Sequence, residues 1–337
     1  MQVQQNYLLK SDNTFGIAAT AKYFATFSSA EELKELLDNY KPISSKMILG
    51  GGSNVLFTGN YNGLVLKNEM PGIDLLSEDK EYIYIKAGAG VTWHHLVMHC
   101  IKNNYAGMEN LSLIPGNVGA SPMQNIGAYG VEVKDIFYEL EALHLEDNRI
   151  RKFVGKDCEF GYRDSVFKRR LKGQFAILSV TYRLKKNPAF NISYGAIENE
   201  LERMNIRELS IKAISDAVIH IRTSKLPDPA IIGNAGSFFK NPVIDRTGLK
   251  QLEKIADNIP YHVSGENNYK IPAGWLIEQC GWKGYRKGDA GCYDKQALVL
   301  VNYGNATGQE IYSLSEEIKI SVKEKFGIEL ESEVNIL

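Results

Sequence analysis

The sequence predicts a protein of more than one domain in which helices and strands are mixed, as either an α+β or an α/β fold. Strand-like and helix-like segments follow one another along the chain without an internal repeat, which argues for mixed domains. A chain of 337 residues is also too long for one ordinary hydrophobic core. Because the polar residues 185–188 end in a proline, we predict a domain boundary near residue 187.

Capping and β-branched patterns predict the elements of the N-terminal half. Ser29 and Glu32 form a capping box that predicts a helix over 31–40. Thr92 is a predicted cap for a helix that reaches about residue 103. Apolar and β-branched runs predict the strands 46–49, 55–57, 64–67, 82–87, 137–145 and 175–184.

A second capping box lies near the C-terminus. Thr307 and Glu310 predict the start of a long amphipathic helix, and Gly327 can serve as its C-cap. The remaining patterns predict helices near 195–204, 208–223 and 272–281 and strands over 297–302 and 328–336.

The composition indicates a soluble protein of a reducing compartment. A formal net charge of -1 gives no overall field that would attract nucleic acid or anionic lipid. We expect no signal peptide, because the first residues contain no basic region followed by an apolar one, and no apolar run approaches the roughly 20 residues that span a bilayer. The four cysteines form no CxxC pair. We therefore expect a cytoplasmic protein without nucleic-acid or membrane partners.

Residues 49–57, with the sequence LGGGSNVLF, are the first candidate for ligand binding. Three glycines between two apolar strands let the backbone approach a ligand closely, and successive N–H groups of such a turn can hold an anion. Ser53 and Asn54 add side-chain donors. A plain glycine-rich turn is the commoner explanation of such a cluster, and the spacing matches neither a Rossmann fingerprint nor a P-loop.

A second candidate is the segment 114–130, which is rich in Gly, Asn, Gln and Ser and contains no charged residue. This composition suits a large cofactor that is wrapped by hydrogen bonds. The alternative is a long surface loop, although surface loops usually carry more charge.

Three single residues could carry chemistry, and each also has a simpler explanation. Arg163, between aromatic and small residues, could bind a carboxylate or the edge of a flavin, or it could be a solvated arginine. Ser237 could move a proton, or it could cap a turn. Glu333 alternates with Glu329 and Glu331 on a predicted strand, so the three would share one face that is either solvated or part of a site.

His94, His95 and His99 suggest a metal site, but a zinc site needs further ligands and HEXXH is absent. We interpret them as surface or packing histidines and expect no metal.

Taken together, these segments resemble the UDP-N-acetylenolpyruvoylglucosamine reductase (MurB) family. The resemblance runs from about residue 13 to the end of the chain, in the family's order. The matching stretches are NTFGI at 13–17, LGGGSNVLF at 49–57, AGAG at 87–90, GMENLSLIPGNVGASPMQNIGAYG at 107–130, FGYRDSVFK at 160–168, RTSKLPDP at 222–229, NAGSFFKNP at 234–242, PAGWLIEQCGWKG at 272–284, QALVLVN at 296–302 and ESEV at 331–334.

The resemblance implies an α+β fold with an FAD-binding unit similar to that of vanillyl-alcohol oxidase and the PCMH type. That unit would occupy 1–187 in two subdomains, about 1–68 and 69–187, and a C-terminal UDP-sugar domain would occupy 188–337. The implied reaction is the NADPH-dependent reduction of an enolpyruvyl UDP-sugar through non-covalent FAD. Tyrosines in 193–195 and 258–261 make the chain similar to the family's type I, and we expect a monomer.

The resemblance also implies roles for single residues. Ser237 would be the proton donor, and Arg163 and Glu333 would bind the enolpyruvyl carboxylate and stabilise the enol-like intermediate. The UDP-sugar would contact Tyr194, Lys225, Asn241, Tyr261 and Gln296. FAD would contact Gly50, Gly51, Gly52, Ser53, Asn54, Pro115, Gly116, Gly119, Ala120, Gln124, Asn125, Gly127, Ala128, Tyr129, Arg163 and Arg222.

One residue departs from the family pattern, because Asn335 stands where many members have arginine two residues after the glutamate. Two other functions stay open on the sequence alone. The first is an FAD oxidase of the same fold, which would often tether its flavin through His or Cys; neither occurs between Gly50 and Val55. The second is a non-catalytic UDP-sugar sensor, which would not need Ser237, Arg163 and Glu333 together.

Overall fold

The structure is a computed structural model that describes residues 2–193 and 195–337. Within these residues the strands are β1 Gln4–Leu8, β2 Thr20–Phe27, β3 Lys46–Leu49, β4 Val55–Leu56, β5 Tyr61–Asn68, β6 Ile73–Glu78, β7 Tyr82–Gly88, β8 Gly127–Ala128, β9 Val131–Glu132, β10 Phe137–His144, β11 Ile150–Val154, β12 Phe175–Lys185, β13 Gly233–Ser237, β14 Val243–Asp245, β15 His262–Val263, β16 Asn268–Lys270, β17 Arg286–Lys287, β18 Ala290–Cys292, β19 Val299–Asn302 and β20 Asn335–Ile336.

The helices of the same residues are α1 Ala30–Asn39, α2 Trp93–Lys102, α3 Gly155–Cys158, α4 Gly195–Arg203, α5 Ile211–Lys225, α6 Arg246–Leu252, α7 Ala273–Gln279 and α8 Gly308–Phe326. The capping box predicted for α8 is confirmed, and that for α1 forms in part, because the Glu32 carboxylate accepts from the Ser28 amide. Ser29 accepts a hydrogen bond from the Glu32 amide, and Thr307 accepts one from the Glu310 amide. Gly327 ends α8 with a left-handed φ of 68°.

The chain divides into two compact units. The first contains Met1–Tyr7, Ala21–Gly51 and Asn62–Ser224, and the second contains Leu8–Thr20, Gly52–Tyr61 and Lys225–Leu337. The last passage of the chain from the first unit to the second lies between Ser224 and Lys225. The predicted domain boundary, in contrast, lies near residue 187.

The first unit contains two larger sheets. One has four strands in the order β1-β2-β5-β3, and α1 packs on it through Leu33, Leu36 and Leu37. The other has five antiparallel strands in the order β11-β10-β12-β7-β6. Helix α2 packs on this second sheet, where Trp93 and Tyr182 meet edge to face with centroids 5.7 Å apart.

The second unit contains a four-stranded sheet in the order β13-β19-β18-β17 and a three-stranded sheet in the order β14-β16-β15. The C-terminal strand β20 pairs in parallel with β4, which brings the end of the chain beside the segment after the triple glycine. Helix α8 approaches Phe57 so closely that a Cβ on Gly308 would lie 1.7 Å from the Phe57 carbonyl oxygen. No residue larger than glycine fits there without movement.

Two local predictions are wrong. Thr92 precedes α2, but its side chain makes no capping hydrogen bond. The predicted closing strand 328–336 shrinks to β20, so the three glutamates do not share a strand face. Glu329 instead pairs with Lys323 at 2.6 Å, and Glu331 pairs with Lys240.

Within the described part of the chain, no helix combines the length and apolar character needed to cross a membrane.

Candidate functional site

A strained turn in the first unit holds Arg163. Gly161 and Asp164 exchange backbone hydrogen bonds across this turn, with N···O distances of 2.9 and 3.3 Å. Between them, Arg163 has a left-handed φ of 53°. Its Nη2 donates to the Gly127 carbonyl of the hairpin β8–β9 at 2.6 Å. A large side chain in this backbone region is a recognised mark of a functional position, because the strain must be held by the surroundings.

Asn125 connects the Arg163 turn with the same hairpin. Its Nδ2 donates to the Glu132 carboxylate and to the Gly161 carbonyl, each at 3.0 Å. Its Oδ1 accepts from the Lys134 amide, also at 3.0 Å. Asn125 is fully buried and has a left-handed φ of 43°. The side-chain amide of Asn125, a residue predicted to contact the cofactor, is therefore hydrogen-bonded to protein partners.

Tyr129 and Arg222 lie together on the other side of this loop. Tyr129 has a left-handed φ of 49°, and its side chain hydrogen-bonds Arg222. Arg222 also donates from Nε to the Leu113 carbonyl at 3.3 Å. Burial lowers the pKa of Arg222, and the nearby Arg163 cation lowers it further, whereas Tyr129 raises it.

Two residues that sequence reasoning did not assign to the site hold this arrangement in place. Asn110 is buried and donates from Nδ2 to the carbonyls of Tyr129 and Asn191, at 3.0 and 2.9 Å. His94 accepts the Leu113 amide on Nδ1 at 3.0 Å. The only signal for Asn110 was an amide residue, between Glu109 and Leu111, shortly before the glycine-rich loop. His94 is a packing histidine, as predicted.

Close backbone contacts shape the glycine-rich segments of the first unit. A Cβ on Gly51 would lie 2.7 Å from the Asn117 Oδ1, and one on Gly119 would lie 2.7 Å from the Ala89 Cβ. The amides of Gly119 and Ala120 already donate to the carbonyls of Ala89 and Asn117. Pro115, Gly116, Gln124 and Ala128 lie in the same loop. Gly119 and Ala120 can therefore shape a ligand site, but their amides are engaged.

In the second unit the structure brings Ser237 and Glu333 to neighbouring backbone positions. Ser237 ends β13, opposite Val299 of β19. The Glu333 amide donates to the carbonyl of Phe238, the residue after Ser237, at 2.8 Å. Gly236, with a φ of 71°, turns the chain just before Ser237, and its amide donates to the Asn234 side chain. Two of the three predicted catalytic residues therefore meet in one unit.

The C-terminus fixes the triple-glycine segment beside these residues. Gly52 has a φ of 62°, and a Cβ on it would lie 2.0 Å from the Asp12 carbonyl oxygen. Asn54 donates to the Glu333 carbonyl at 3.3 Å. Asn335 returns two hydrogen bonds to the Asn54 carbonyl, from its amide at 3.1 Å and its side chain at 2.9 Å. Asn335 thus links the C-terminus by hydrogen bonds to the segment that contains Ser53 and Asn54.

Two predicted substrate residues meet at the start of α7. The Asn241 Oδ1 accepts the Ala273 amide at 2.9 Å. The Gln296 Oε1 would lie 2.8 Å from a Cβ on Gly274, and it accepts the Leu298 amide at 3.3 Å. Both side chains therefore border the first residues of one helix.

The other predicted substrate residues are more exposed. Tyr261 is 45% exposed and packs edge to face on Tyr269, with ring centroids 5.3 Å apart. Lys225 is the exposed last residue of α5. Tyr194 lies outside the described residues.

No group of three or more His, Cys, Asp or Glu side chains that could hold a metal ion occurs in residues 2–193 and 195–337. Burial raises the pKa of the Cys100, Cys158 and Cys292 thiols to about 12. These thiols are therefore poor nucleophiles at neutral pH.

Comparisons with known proteins agree on one family. The profile of an FAD binding domain matches residues 21–153. The profile of the UDP-N-acetylenolpyruvoylglucosamine reductase C-terminal domain matches residues 228–337. The UDP-N-acetylenolpyruvoylglucosamine reductase of Amoebophilus asiaticus is 54% identical to this chain over 338 aligned residues, which cover 100% of both chains.

The chain belongs to the UDP-N-acetylenolpyruvoylglucosamine reductase family.

Further members support this membership and the fold. The reductase of Flavobacterium johnsoniae is 50% identical, again over 100% of both chains. The crystal structure of the reductase from Thermus caldophilus superposes with a TM-score of 0.70, at 24% identity, over 100% of this chain and 99% of that one. The predicted family and the predicted α+β fold, with an FAD-binding domain followed by a substrate domain, are confirmed.

The residues of the first unit fit the flavin cofactor that this family membership implies. The loop 114–130 contains no charged side chain, so it does not repel an anionic ligand. Arg163 lies close enough to Arg222 to disfavour its charged form. Two neighbouring guanidinium groups repel each other, and an anion bound between or beside them relieves that repulsion. FAD carries a diphosphate and many acceptor atoms, which suit these donors.

Proposed function

We propose that this chain reduces UDP-N-acetyl-3-O-(1-carboxyvinyl)-glucosamine to UDP-N-acetylmuramate in peptidoglycan precursor synthesis. The electrons come from NADPH through non-covalently bound FAD. The observation that carries this proposal is the 54% identity to a UDP-N-acetylenolpyruvoylglucosamine reductase over the full length of both chains.

FAD is held, in this proposal, by the two glycine-rich segments 50–54 and 114–130 together with Arg163 and Arg222. When bound, FAD supplies the redox chemistry by accepting a hydride from NADPH and giving it to C3 of the enolpyruvyl group. The protein's contribution is to orient both partners and to keep their reacting atoms in a fixed geometry.

Arg163 stabilises the negative charge that develops on the substrate. When C3 gains a hydride, charge accumulates at C2 and spreads into the adjacent carboxylate. A cation that is already fixed in place lowers the energy of this state without reorganising. The hydrogen bond from Arg163 to the Gly127 carbonyl supports this role, because it anchors the guanidinium before the substrate arrives. Glu333 acts with Arg163 on the same intermediate.

Ser237 gives the proton that C2 requires. A serine hydroxyl is a weak acid at its ordinary pKa, so the transfer depends on the strong basicity of the enol-like intermediate or on a relay partner. The proximity of the Glu333 backbone supports the assignment, since the amide contact with Phe238 holds the two residues in one place.

The UDP-sugar is held by residues of the predicted C-terminal substrate domain. Tyr194, Lys225, Asn241, Tyr261 and Gln296 supply these contacts, with the Lys225 cation on the nucleotide or diphosphate end. In the same proposal the chain is a cytoplasmic monomer, with its FAD-binding domain over 1–187 in two subdomains, about 1–68 and 69–187, and its substrate domain over 188–337.

The visible spectrum of the purified protein tests this function. We expect a yellow protein whose visible flavin band bleaches with NADPH in the absence of oxygen and returns when the enolpyruvyl UDP-sugar is added. A colourless protein that takes up no FAD would refute the proposal. A flavin that NADPH reduces but the enolpyruvyl sugar does not reoxidise would instead indicate an oxidase or another reductase.

A further inference from the structure

The side-chain amide of Asn125 has no donor left for a cofactor. Its two Nδ2 hydrogens go to the Glu132 carboxylate and the Gly161 carbonyl, and its Oδ1 accepts the Lys134 amide. An asparagine amide has only two donor hydrogens. Because the side chain is fully buried, a ligand could reach these atoms only by breaking the existing contacts.

The partners of Asn125 are the two pieces of chain that hold Arg163. Gly161 is the first residue of the turn in which Arg163 adopts its φ of 53°. Glu132 belongs to β9, which pairs with β8. The Gly127 carbonyl of β8 accepts a hydrogen bond from the Arg163 guanidinium. Asn125 therefore fixes the backbone of Arg163 and the acceptor of its side chain relative to each other.

A second group of contacts anchors the far end of the same turn. Asp164 pairs with Arg169, which also bonds the Glu159 carboxylate at 3.0 Å. Ser165 donates to the Met123 carbonyl at 2.6 Å. These partners are partly exposed or hold only the end of the turn. Asn125 is the buried contact at its start.

We propose that Asn125 is a positioning residue that acts on catalysis through Arg163, in place of the direct cofactor contact that its sequence position predicted. The inference rests on the proposed function, because it assumes that Arg163 binds the enolpyruvyl carboxylate. Loss of the Asn125 amide lets the Gly161–Asp164 turn move relative to β8. A displacement of about 1 Å at a positioned group can cost about 10²-fold in rate.

The test uses Asn125→Gly, which removes the amide and keeps a residue that tolerates a positive φ. The holoenzyme is studied by stopped-flow absorbance in two half-reactions. We expect flavin reoxidation by the enolpyruvyl sugar to slow about 10²-fold in enzyme that is kept saturated with FAD. Asn104→Gly is the matched control, because Asn104 is exposed and has a similar φ of 57°. It should react like the wild type.

A double-mutant cycle separates positioning from a general structural role. If Asn125 acts through Arg163, Arg163→Lys and Asn125→Gly should slow the same half-reaction, and the double variant should be little slower than Arg163→Lys alone. Multiplicative losses would overturn the inference. The inference would also be overturned if the wild-type enzyme reduces the enolpyruvyl sugar and Asn125→Gly does so at the same rate. Failure of the wild-type reaction itself would refute the proposed function instead.

Asn125→Asp gives a second measurement that holds even if the glycine variant folds poorly. The introduced carboxylate keeps the acceptor for the Lys134 amide, but it faces the Glu132 carboxylate and the Gly161 carbonyl without a proton to donate. Acid restores one donor, so the rate of this variant relative to the wild type should rise as the pH falls. Glu132, Lys134 and Arg163 are the charged groups around position 125, and both enzymes contain them, so the wild type measured at each pH is the reference. A ratio equal to one at every pH would overturn the inference.

Discussion

Tyr129 and Arg163 carry large side chains on left-handed backbones, with φ of 49° and 53°. Such a conformation costs on the order of 1–3 kcal/mol and persists only where neighbouring contacts enforce it. Asn110 holds the carbonyl of Tyr129, and Asn125 holds the turn of Arg163. Tyr129 lies in the loop 114–130, and Arg163 donates to the Gly127 carbonyl of that loop, so both strained residues belong to the region that we assign to the flavin.

Ser237→Ala should separate the two half-reactions. Reduction of the flavin by NADPH needs no proton from Ser237 and should keep a near-normal rate. Reoxidation by the enolpyruvyl sugar needs C2 to be protonated and should slow by about 10²- to 10⁴-fold. Stopped-flow absorbance at the flavin band follows each half. The exposed Ser313→Ala on α8 is the control. Equal slowing of both halves would mean that Ser237 has only a structural role.

Tyr261→Ala and Lys225→Ala should raise KM for the UDP-sugar far more than KM for NADPH. Both side chains are exposed and are assigned to the nucleotide or diphosphate end. Loss of a charge-assisted contact there costs on the order of 1.5–3 kcal/mol. Steady-state kinetics with each substrate varied measures the two constants. Tyr285→Ala is a matched control, because Tyr285 is 39% exposed and also packs edge to face, on Trp282. A parallel rise in both constants would contradict the assignment.

At the scale of elements, close approaches of the backbone decide where glycine is required. Gly52, in the triple-glycine segment, and Gly59 illustrate this, because their surroundings differ. Gly52 combines a φ of 62° with a carbonyl oxygen 2.0 Å from the position of a Cβ. Gly59, in the same unit, has open space around it. Packing thus requires glycine at position 52, whereas a Cβ on Gly50 would lie 3.7 Å from the Asn117 Cβ, an ordinary contact.

Gly52→Ala should destabilise the second unit, while Gly59→Ala should not. The Cβ of the first variant collides with the Asp12 carbonyl and adds the strain of a positive φ, together at least about 1–3 kcal/mol of unfolding free energy. At Gly59 the added methyl meets nothing. Urea unfolding of the two variants, with FAD in excess, measures the difference. Equal midpoints would show that the 12–14 segment moves freely away from Gly52.

At the scale of the whole molecule, the two compact units each hold part of the predicted machinery. The first contains Arg163, Arg222 and most of the predicted flavin contacts, and the second contains Ser237 and Glu333. The family profiles follow a similar division, with residues 21–153 matching the FAD binding domain and 228–337 matching the reductase C-terminal domain. The proposed function therefore assigns roles to residues of both units.

The FAD should be released completely when the protein is denatured. No His or Cys lies in the segment 50–55 that could tether it, and burial raises the pKa of three of the four thiols to about 12, which disfavours their thiolates. Precipitation with acid should leave all of the yellow colour in the supernatant, as measured by absorbance of both fractions. Yellow colour that stays in the pellet would indicate a covalent flavin.

The sequence by itself determined the features that depend on near neighbours. The capping box of α8, the C-cap at Gly327 and the strand β3 are set by residues within about four positions of each other, and all three were predicted correctly. The N-cap Ser29 of α1 was predicted as well. The family was likewise identifiable, because its long motifs occur in order along the chain.

Only the tertiary structure decided what individual polar groups do. Asn125 bonds Gly161, which lies 36 residues away, and Asn335 bonds Asn54 across 281 residues. Glu331 and Glu329, predicted to lie beside Glu333, pair with lysines elsewhere. An amide or carboxylate near a site can bind a ligand or hold the residue that does. Its hydrogen-bond partners decide between the two, and chain distance does not reveal them.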